Sequence, residues 1–414
     1  MQYGCIGEKL SHSFSKEIHK GLADYLYELK ELAPDELDAF MRAKDFQAIN
    51  VTIPYKQAVI PYLDDISDKA KEIGAVNTIV NRNGKLYGYN TDFYGLSALL
   101  DRNNIALEGK KVLILGSGGT SKTAFSVAKE AGAAQIYRVS RSAREDCITY
   151  ADALSLHNDA QVIINTTPCG MFPATQQSPI DIAAFEQLEA VADVIYNPLC
   201  SELVLAAKQR GLKAIGGLYM LVMQAVKAVE LFLGEKVQAE RTEQVYRRLL
   251  TDKQNIVLIG MPGCGKSSIG KALQILLKRD FIDTDELIAE KAGTSIPEIF
   301  AKQGEAGFRE IESQVIAEVA LQQGLIIATG GGAILQRRNE QALRQNGVLV
   351  FLDRPLSELV PTEDRPLSSD YEALKLRYEE RYKKYLAAAD ISISVTAAEG
   401  VENTARQVIK EWKK

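Results

Sequence analysis

The chain has 414 residues, 46% apolar and 25% charged, with a net charge of −5. That length exceeds one ordinary core and predicts two or three globular domains, and the acidic balance excludes a general role on nucleic acid or on membrane surfaces. The five cysteines (Cys5, Cys147, Cys169, Cys200, Cys264) are scattered and odd in number, with no CxxC pair for zinc, which fits free thiols and a cytoplasmic location.

Strand signals alternate with helical periodicity along the chain, an α/β pattern with mainly parallel sheets. The start, Met1-Gln2-Tyr3-Gly4-Cys5, lacks the basic flank and apolar run of a signal peptide. Strands are predicted at 2–6, 48–53 and 77–81, with helices between them. A fresh series begins at Lys110, with strands at 111–115, 135–139, 162–165, 191–195 and 213–215. A long helix follows from Tyr219 to about Phe232. Gln224, Lys227 and Glu230 interrupt its apolar run, so it reads as a buried or amphipathic helix, not a membrane span. Residues 234–255 are polar and charge-rich and read as a second helix plus connector, with a domain boundary near Thr251. From Gln254 a third series has strands at 256–259, 281–283, 325–328, 348–352 and 390–394.

Two different phosphate-binding loops lie in these series, each after an apolar strand and before a helix. The first is Gly116-Ser117-Gly118-Gly119-Thr120-Ser121, after Val112-Leu113-Ile114-Leu115. It has no invading lysine and suits the pyrophosphate of a dinucleotide, with Ser121 where the usual fingerprint has its third glycine. The strand at 135–139 ends in Ser140-Arg141-Ser142-Ala143-Arg144. An NAD site would place an acid there, whereas Arg141 and Arg144 suit a 2′-phosphate, so NADP(H) is the expected cofactor.

Residues 1 to about 240 resemble shikimate dehydrogenase, and several separate motifs carry the resemblance. They are Ser11-His12-Ser13-Phe14-Ser15, Asn50-Val51-Thr52-Ile53-Pro54-Tyr55-Lys56, Gly74-Ala75-Val76-Asn77-Thr78 and Tyr89-Asn90-Thr91-Asp92. Further along come Asn165-Thr166-Thr167-Pro168-Cys169-Gly170-Met171, Asp193-Val194-Ile195-Tyr196-Asn197-Pro198 and Gly217-Leu218-Tyr219-Met220-Leu221-Val222-Met223-Gln224. The resemblance implies a substrate-binding subdomain over 1–95, completed by helices 219–250, and a Rossmann-like NADP-binding subdomain over 96–218. It implies that Ser13 and Ser15 hold the substrate carboxylate, that Thr52, Asn77, Tyr196 and Gln224 also contact substrate, and that Asp68, Val194 and Gly217 border the cofactor. Lys56 and Asp92 are the implied catalytic pair. Reducing a ketone needs a proton on the developing alkoxide, which Lys56 can supply or stabilise while Asp92 orients it.

The second loop, Gly260-Met261-Pro262-Gly263-Cys264-Gly265-Lys266-Ser267-Ser268, is a P-loop that suits ATP and Mg²⁺. The backbone of Gly263, Cys264 and Gly265 is expected to cradle phosphates with Ser268 beside it, Lys266 to reach the outer oxygens and Ser267 to ligate Mg²⁺. Cys264 stands at a helix start, where a thiol is either activated or simply a small residue that fits. Residues 254–414 resemble shikimate kinase, a P-loop small-molecule kinase with a parallel sheet. The matching segments are Phe281-Ile282-Asp283-Thr284-Asp285, Gly307-Phe308-Arg309-Glu310-Ile311-Glu312, Ala328-Thr329-Gly330-Gly331-Gly332, Asp364-Arg365-Pro366-Leu367 and Glu379-Glu380-Arg381-Tyr382. The resemblance implies Asp283 beside the metal, Asp285 on the acceptor hydroxyl, Arg309 and Arg381 on the substrate carboxylate, Gly331 against the ring, and Arg365 in a lid over the transferring phosphoryl. The lid entry, Glu358-Leu359-Val360-Pro361-Thr362, lacks a basic residue that many relatives carry.

The two implied reactions are consecutive, with 3-dehydroshikimate and shikimate as small-molecule substrates. Two other readings stay open: quinate with NAD in the first half, or one half serving as a silent nucleotide-binding module. No oligomeric partner is implied.

Overall fold

The structure, a computed structural model, describes residues 1–10, 14–359, 371–396 and 398–414. It divides into two compact units, Met1–Leu250 and Thr251–Lys414. No helix among the described residues is long and apolar enough to cross a membrane.

The first unit begins with β1 (Tyr3–Gly7), α1 (Ser15–Leu22), β2 (Tyr27–Glu31), α2 (Leu37–Ala43), β3 (Ala48–Val51), β4 (Asp65–Ile66), α3 (Asp68–Ile73), β5 (Thr78–Arg82) and β6 (Lys85–Tyr89). These strands form one sheet in the order β2-β1-β3-β5-β6-β4. β1 pairs in parallel with β2 and β3, but β5 runs antiparallel to both β3 and β6. This sheet is therefore mixed, with three parallel pairings and two antiparallel ones. The cause is local: Asn83 and Gly84 both take positive φ (53° and 83°) and fold β5 directly onto β6 in a tight hairpin.

α4 (Asp92–Arg102) leads into β7 (Lys111–Leu115), α5 (Gly119–Glu130), β8 (Gln135–Ser140), β9 (Ile148–Thr149), α6 (Tyr150–Leu156), β10 (Val162–Asn165), β11 (Ala190–Asp193), α7 (Glu202–Gln209) and β12 (Lys213–Ile215). The sheet order is β12-β11-β10-β7-β8-β9, all parallel. Side chains alternate across it. Val112, Ile114, Val162 and Ile164 pack with Leu96, Leu99 and Ala124, while Leu113, Leu115, Ile163 and Val191 pack with Ala153 and Leu203 on the other face. Strands covered on both faces need apolar residues at every position, hence the unbroken Val-Leu-Ile-Leu run of β7. Strand order reverses between β7 and β10, where α/β sheets open a crevice for ligands.

α8 (Leu218–Leu233) and α9 (Ala239–Lys253) close the unit. Phe14, Ile18, Val222, Val226, Val245 and Leu249 share one cluster that ties both helices to α1. α8 also lies close along α4: a Cβ on Gly95 would stand 2.6 Å from the Met220 carbonyl, so only glycine fits there. Arg102 of α4 clamps α9, with its guanidinium 4.5 and 4.8 Å from the Tyr219 and Tyr246 rings and two bonds of 2.7 and 3.0 Å to Glu243.

The second unit holds β13 (Asn255–Ile259), α10 (Lys266–Leu277), β14 (Phe281–Asp283), α11 (Thr284–Ala292), α12 (Ile296–Ala320), β15 (Ile326–Ala328), α13 (Arg337–Asn346), β16 (Gly347–Asp353), α14 (Tyr371–Ala388), β17 (Ile391–Ser394) and α15 (Gly400–Trp412). Its sheet is fully parallel in the order β14-β15-β13-β16-β17, with the fully buried β13 at the centre. Gly304, at φ 68°, breaks α12.

Candidate active sites

In the first unit a cleft of about 1220 Å³ opens at the reversal of strand order. Gly116, Ser117, Gly118, Gly119 and Thr120 line one wall, Ser140, Arg141 and Arg144 another, and Lys56 lies at its edge with Thr166 to Cys169. Gly116 has a φ of 123°, and Gly118 has no atom within 4 Å of where its Cβ would be. Glycine thus gives the turn and leaves an open approach to backbone N–H groups at the start of α5, which fits a dinucleotide pyrophosphate.

Lys56 follows β3 and is fixed by its own backbone, whose carbonyl accepts the Val76 N–H at 2.8 Å. Its Nζ donates to Asp92 Oδ2 at 2.6 Å. Asn77 Nδ2 donates to the other oxygen, Oδ1, at 2.9 Å, and Asn77 Oδ1 accepts the Thr91 N–H at 2.7 Å. Lys56, Asp92 and Asn77 thus form one network, with Asp92 in the first turn of α4. Behind it, Asn50 donates to Thr78 Oγ1 at 3.0 Å and accepts the Tyr27 hydroxyl at 2.7 Å. The fully buried His19 ring stacks on Tyr27 at 3.8 Å, and burial brings its pKa down to about 3.

The other candidates are spread around this network. Gln224 Oε1 is 3.5 Å from Thr91 Oγ1, and the Tyr196 ring centre is 5.2 Å from that of Phe14. Ser15 starts α1, and the Thr52 N–H donates to the Ile6 carbonyl at 2.9 Å. Ser13 lies outside the described residues.

In the second unit a cleft of about 550 Å³ is lined by Gly263, Gly265, Lys266, Ser267, Ser268, Asp283, Asp285, Arg309, Gly331 and Arg381. Gly260, Gly263 and Gly265 take φ of 145°, 81° and 103°, backbone that only glycine adopts readily. Lys266 Nζ donates to the carbonyls of Gly260 and Met261, both at 2.9 Å. Ser267 Oγ donates to Asp283 Oδ2 at 2.5 Å, and Asp283 Oδ1 caps α11 through the Asp285 N–H at 3.0 Å. Two oxygen ligands at the lip of a P-loop suit Mg²⁺, which takes few protein ligands and fills its shell with phosphate and water. The Gly330 N–H donates to Thr284 Oγ1 at 3.1 Å, which sets the glycine turn beside Asp285. Arg309 Nη1 donates to the fully buried Glu312 at 2.7 Å, and Arg381 Nη1 to the Gly331 carbonyl at 3.2 Å. Burial lowers the Arg381 pKa and pushes the Glu312 carboxyl up, against the pull of Arg309.

Residues 5–79 match the family model for the shikimate dehydrogenase substrate binding domain, and residues 262–413 match the one for shikimate kinase. A shikimate dehydrogenase (NADP(+)) from Clostridium perfringens strain 13 is 38% identical over 264 residues, which cover 60% of this chain and 97% of that protein. The chain belongs to the shikimate dehydrogenase family. Its second unit is a shikimate kinase domain. A chorismate mutase/shikimate 5-dehydrogenase fusion protein from Clostridium acetobutylicum is 34% identical, with a TM-score of 0.56 over 60% of this chain and 96% of that one. Shikimate 5-dehydrogenase from Thermus thermophilus, solved with NADP(H) and shikimate, is 28% identical, with a TM-score of 0.55 over 60% of this chain and 99% of that one.

Not every expected residue lines a cleft. Asp68 is exposed in the first turn of α3, behind its N-cap Ser67, and does not line the dehydrogenase cleft. Cys264 turns its thiol inward to full burial, 3.7 Å from Lys266 Nζ, and its N–H donates to the Met261 carbonyl at 3.2 Å. Val194 and Gly217 also lie off the cleft wall, with Gly217 pressed on the Val194 backbone so closely that no Cβ fits. Arg365 falls outside the described residues. Sequence reasoning missed Arg138, Lys122 and Asp146 on the dehydrogenase cleft and Glu312 on the kinase cleft. It also missed the support beneath the Val194 loop. Buried Asp193 accepts from Ser201 at 2.5 Å, Asn165 at 3.0 Å and the Ile195 N–H at 3.0 Å, and burial raises its pKa to about 6.

Proposed function

We propose that this chain catalyses two consecutive steps of aromatic biosynthesis: NADPH-dependent reduction of 3-dehydroshikimate to shikimate, then ATP-dependent phosphorylation of the new hydroxyl to shikimate 3-phosphate. The observation that carries the reading is the Lys56–Asp92 pair at the edge of a dinucleotide cleft in one unit, alongside a P-loop cleft bearing Asp285 and two arginines in the other. When bound, NADPH supplies the hydride and Mg·ATP the phosphoryl group.

In the first site, Lys56 is placed to give a proton to the alkoxide that hydride addition creates, or to stabilise it as a cation. Asp92 holds Lys56, and Asn77 holds Asp92. Ser13, Ser15, Thr52, Tyr196 and Gln224 are assigned to the ring carboxylate and hydroxyls by family resemblance. In the second site, Arg309 and Arg381 take the same carboxylate, Gly331 lies against the ring, and Asp285 accepts the proton from the attacking hydroxyl. Lys266, now on two backbone carbonyls, would grip phosphate oxygens, and Ser267 and Asp283, which touch each other, would hold Mg²⁺. Arg365 is assigned to the transferring phosphoryl by resemblance alone. A cytoplasmic location accords with the free cysteines.

The test supplies the purified chain with 3-dehydroshikimate, NADPH and Mg·ATP and follows both products. Shikimate should appear first and shikimate 3-phosphate with ADP second. Turnover only with quinate and NAD, or no phosphate ester despite shikimate accumulation, would refute the corresponding half.

A further inference from the structure

The dehydrogenase cleft is strongly cationic, yet it contains one carboxylate. Lys122, Arg138, Arg141 and Arg144 face the region beyond Ser140 where a dinucleotide's adenosine ribose lies, and Asp146 is the acid among them. The local backbone puts it there. Arg144 and Cys147 pair as a bridge, the Cys147 N–H donating to the Arg144 carbonyl at 3.2 Å, and the tight turn between them carries Asp146 back over β8. Asp146 Oδ2 accepts a hydrogen bond from Arg138 Nη2, and Oδ1 is 3.5 Å from the Cys147 thiol. Arg138 is the less exposed of this pair, at 10% against 60% for Asp146.

We propose that Asp146 is a cofactor-selectivity residue: paired with Arg138, it occupies the place of the 2′-phosphate and narrows the preference for NADP(H) over NAD(H). The inference rests on the assignment of this cleft to a nicotinamide dinucleotide. A 2′-phosphate held by Arg141 and Arg144 lies close to the Asp146 carboxylate and gains Arg138 only by taking it from Asp146, an electrostatic cost in a cleft otherwise suited to phosphate. A 2′-hydroxyl needs no such exchange. It donates to Asp146, which keeps its bond to Arg138, the arrangement by which an acid after this strand holds an unphosphorylated ribose. One cleft thereby holds both recognition elements, cations for the phosphate and an acid for the hydroxyl.

The test measures dissociation constants of the full-length protein for NADP⁺ and NAD⁺ at fixed ionic strength, before and after Asp146→Asn. NADP⁺ should bind about fivefold more tightly to the variant, the ratio that corresponds to roughly 1 kcal/mol for a partly exposed charge, and NAD⁺ more weakly. Unchanged or weaker NADP⁺ binding in Asp146→Asn, or an equal change for both cofactors, would overturn the proposal. A wild-type protein that binds neither cofactor would instead overturn the assignment of the cleft.

Discussion

His19 makes the dehydrogenase unit acid-sensitive. Its ring is fully buried, and Nδ1 lies 2.6 Å from the Tyr25 hydroxyl. Burial depresses its pKa from 6.5 to about 3. The unfolded chain therefore takes up this proton first, so the stability contributed by His19 is complete above pH 6.5 and drains away as pH falls towards 3. At pH 5 the free imidazole is about 1.5 pH below its midpoint while the buried one stays neutral, a loss of roughly 2 kcal/mol relative to pH 8. His19→Phe keeps a ring against Tyr27 and removes the titration. Its own cost at pH 8 does not matter, because the readout is the change between pH 8 and pH 5, which should be about 2 kcal/mol smaller than in wild type. Urea titrations with pulse proteolysis can follow the first unit, while Trp412, the one tryptophan, reports the second by fluorescence. All three histidines (His12, His19, His157) lie in the first unit, so the Trp412 transition is an internal control and should be the same in both proteins. Parallel pH profiles for the first unit in wild type and His19→Phe would refute the reasoning.

Three further outcomes are expected. Lys56→Ala should lower reduction at least about 100-fold and leave phosphorylation intact, and Lys266→Ala should do the reverse; loss of both activities in either variant would contradict independent sites. Glu312→Gln keeps the shape of the side chain and removes a carboxylate that burial disfavours more than its 2.7 Å bond with Arg309 favours it; the second unit should lose less than about 1 kcal/mol in urea, and a Trp412 transition shifted by several kcal/mol would count against that balance. A thiol reagent should modify the half-buried Cys169 and Cys200 in the native protein and reach Cys5, Cys147 and Cys264 only after unfolding; rapid Cys264 labelling would show that its burial is misread.

Much of the scaffold is legible in the sequence because the central strands are buried on both faces. β7 and β13 present unbroken apolar runs ending in glycine, and no other local structure explains such a run followed by a phosphate loop. Edge strands leave a weaker trace. β2 reads Tyr-Glu-Leu-Lys-Glu, with polar residues on its open side, and β4, at the other edge, is only two residues long. The hairpin between β5 and β6 nevertheless has a readable mark in Asn83-Gly84. Glu312 was also within reach, since it stands three residues after Arg309 on the same helix face, a spacing at which opposite charges meet. Arg138 and Asp146 were not. One sits inside a strand and the other in the turn beyond it, and only the backbone reversal at Arg144 and Cys147 brings them together.

Both sites solve the same physical problem, that a long cationic side chain must be still before it can discriminate a transition state. Lys56 is held by Asp92, which Asn77 holds in turn; Arg309 is held by Glu312; and Lys266 is held by two carbonyls of its own loop. These partners differ because the tasks differ. A lysine that must meet an alkoxide keeps a carboxylate throughout, whereas a lysine that must grip phosphate rests on neutral carbonyls that it can leave without stranding a buried anion. On the proposed assignment the hydroxyl formed against Lys56 is the one that Asp285 receives, so the shikimate made at the first site is the substrate of the second. Covalent fusion fixes the two sites at one to one, and this pairing of reactions needs nothing more from it than that ratio.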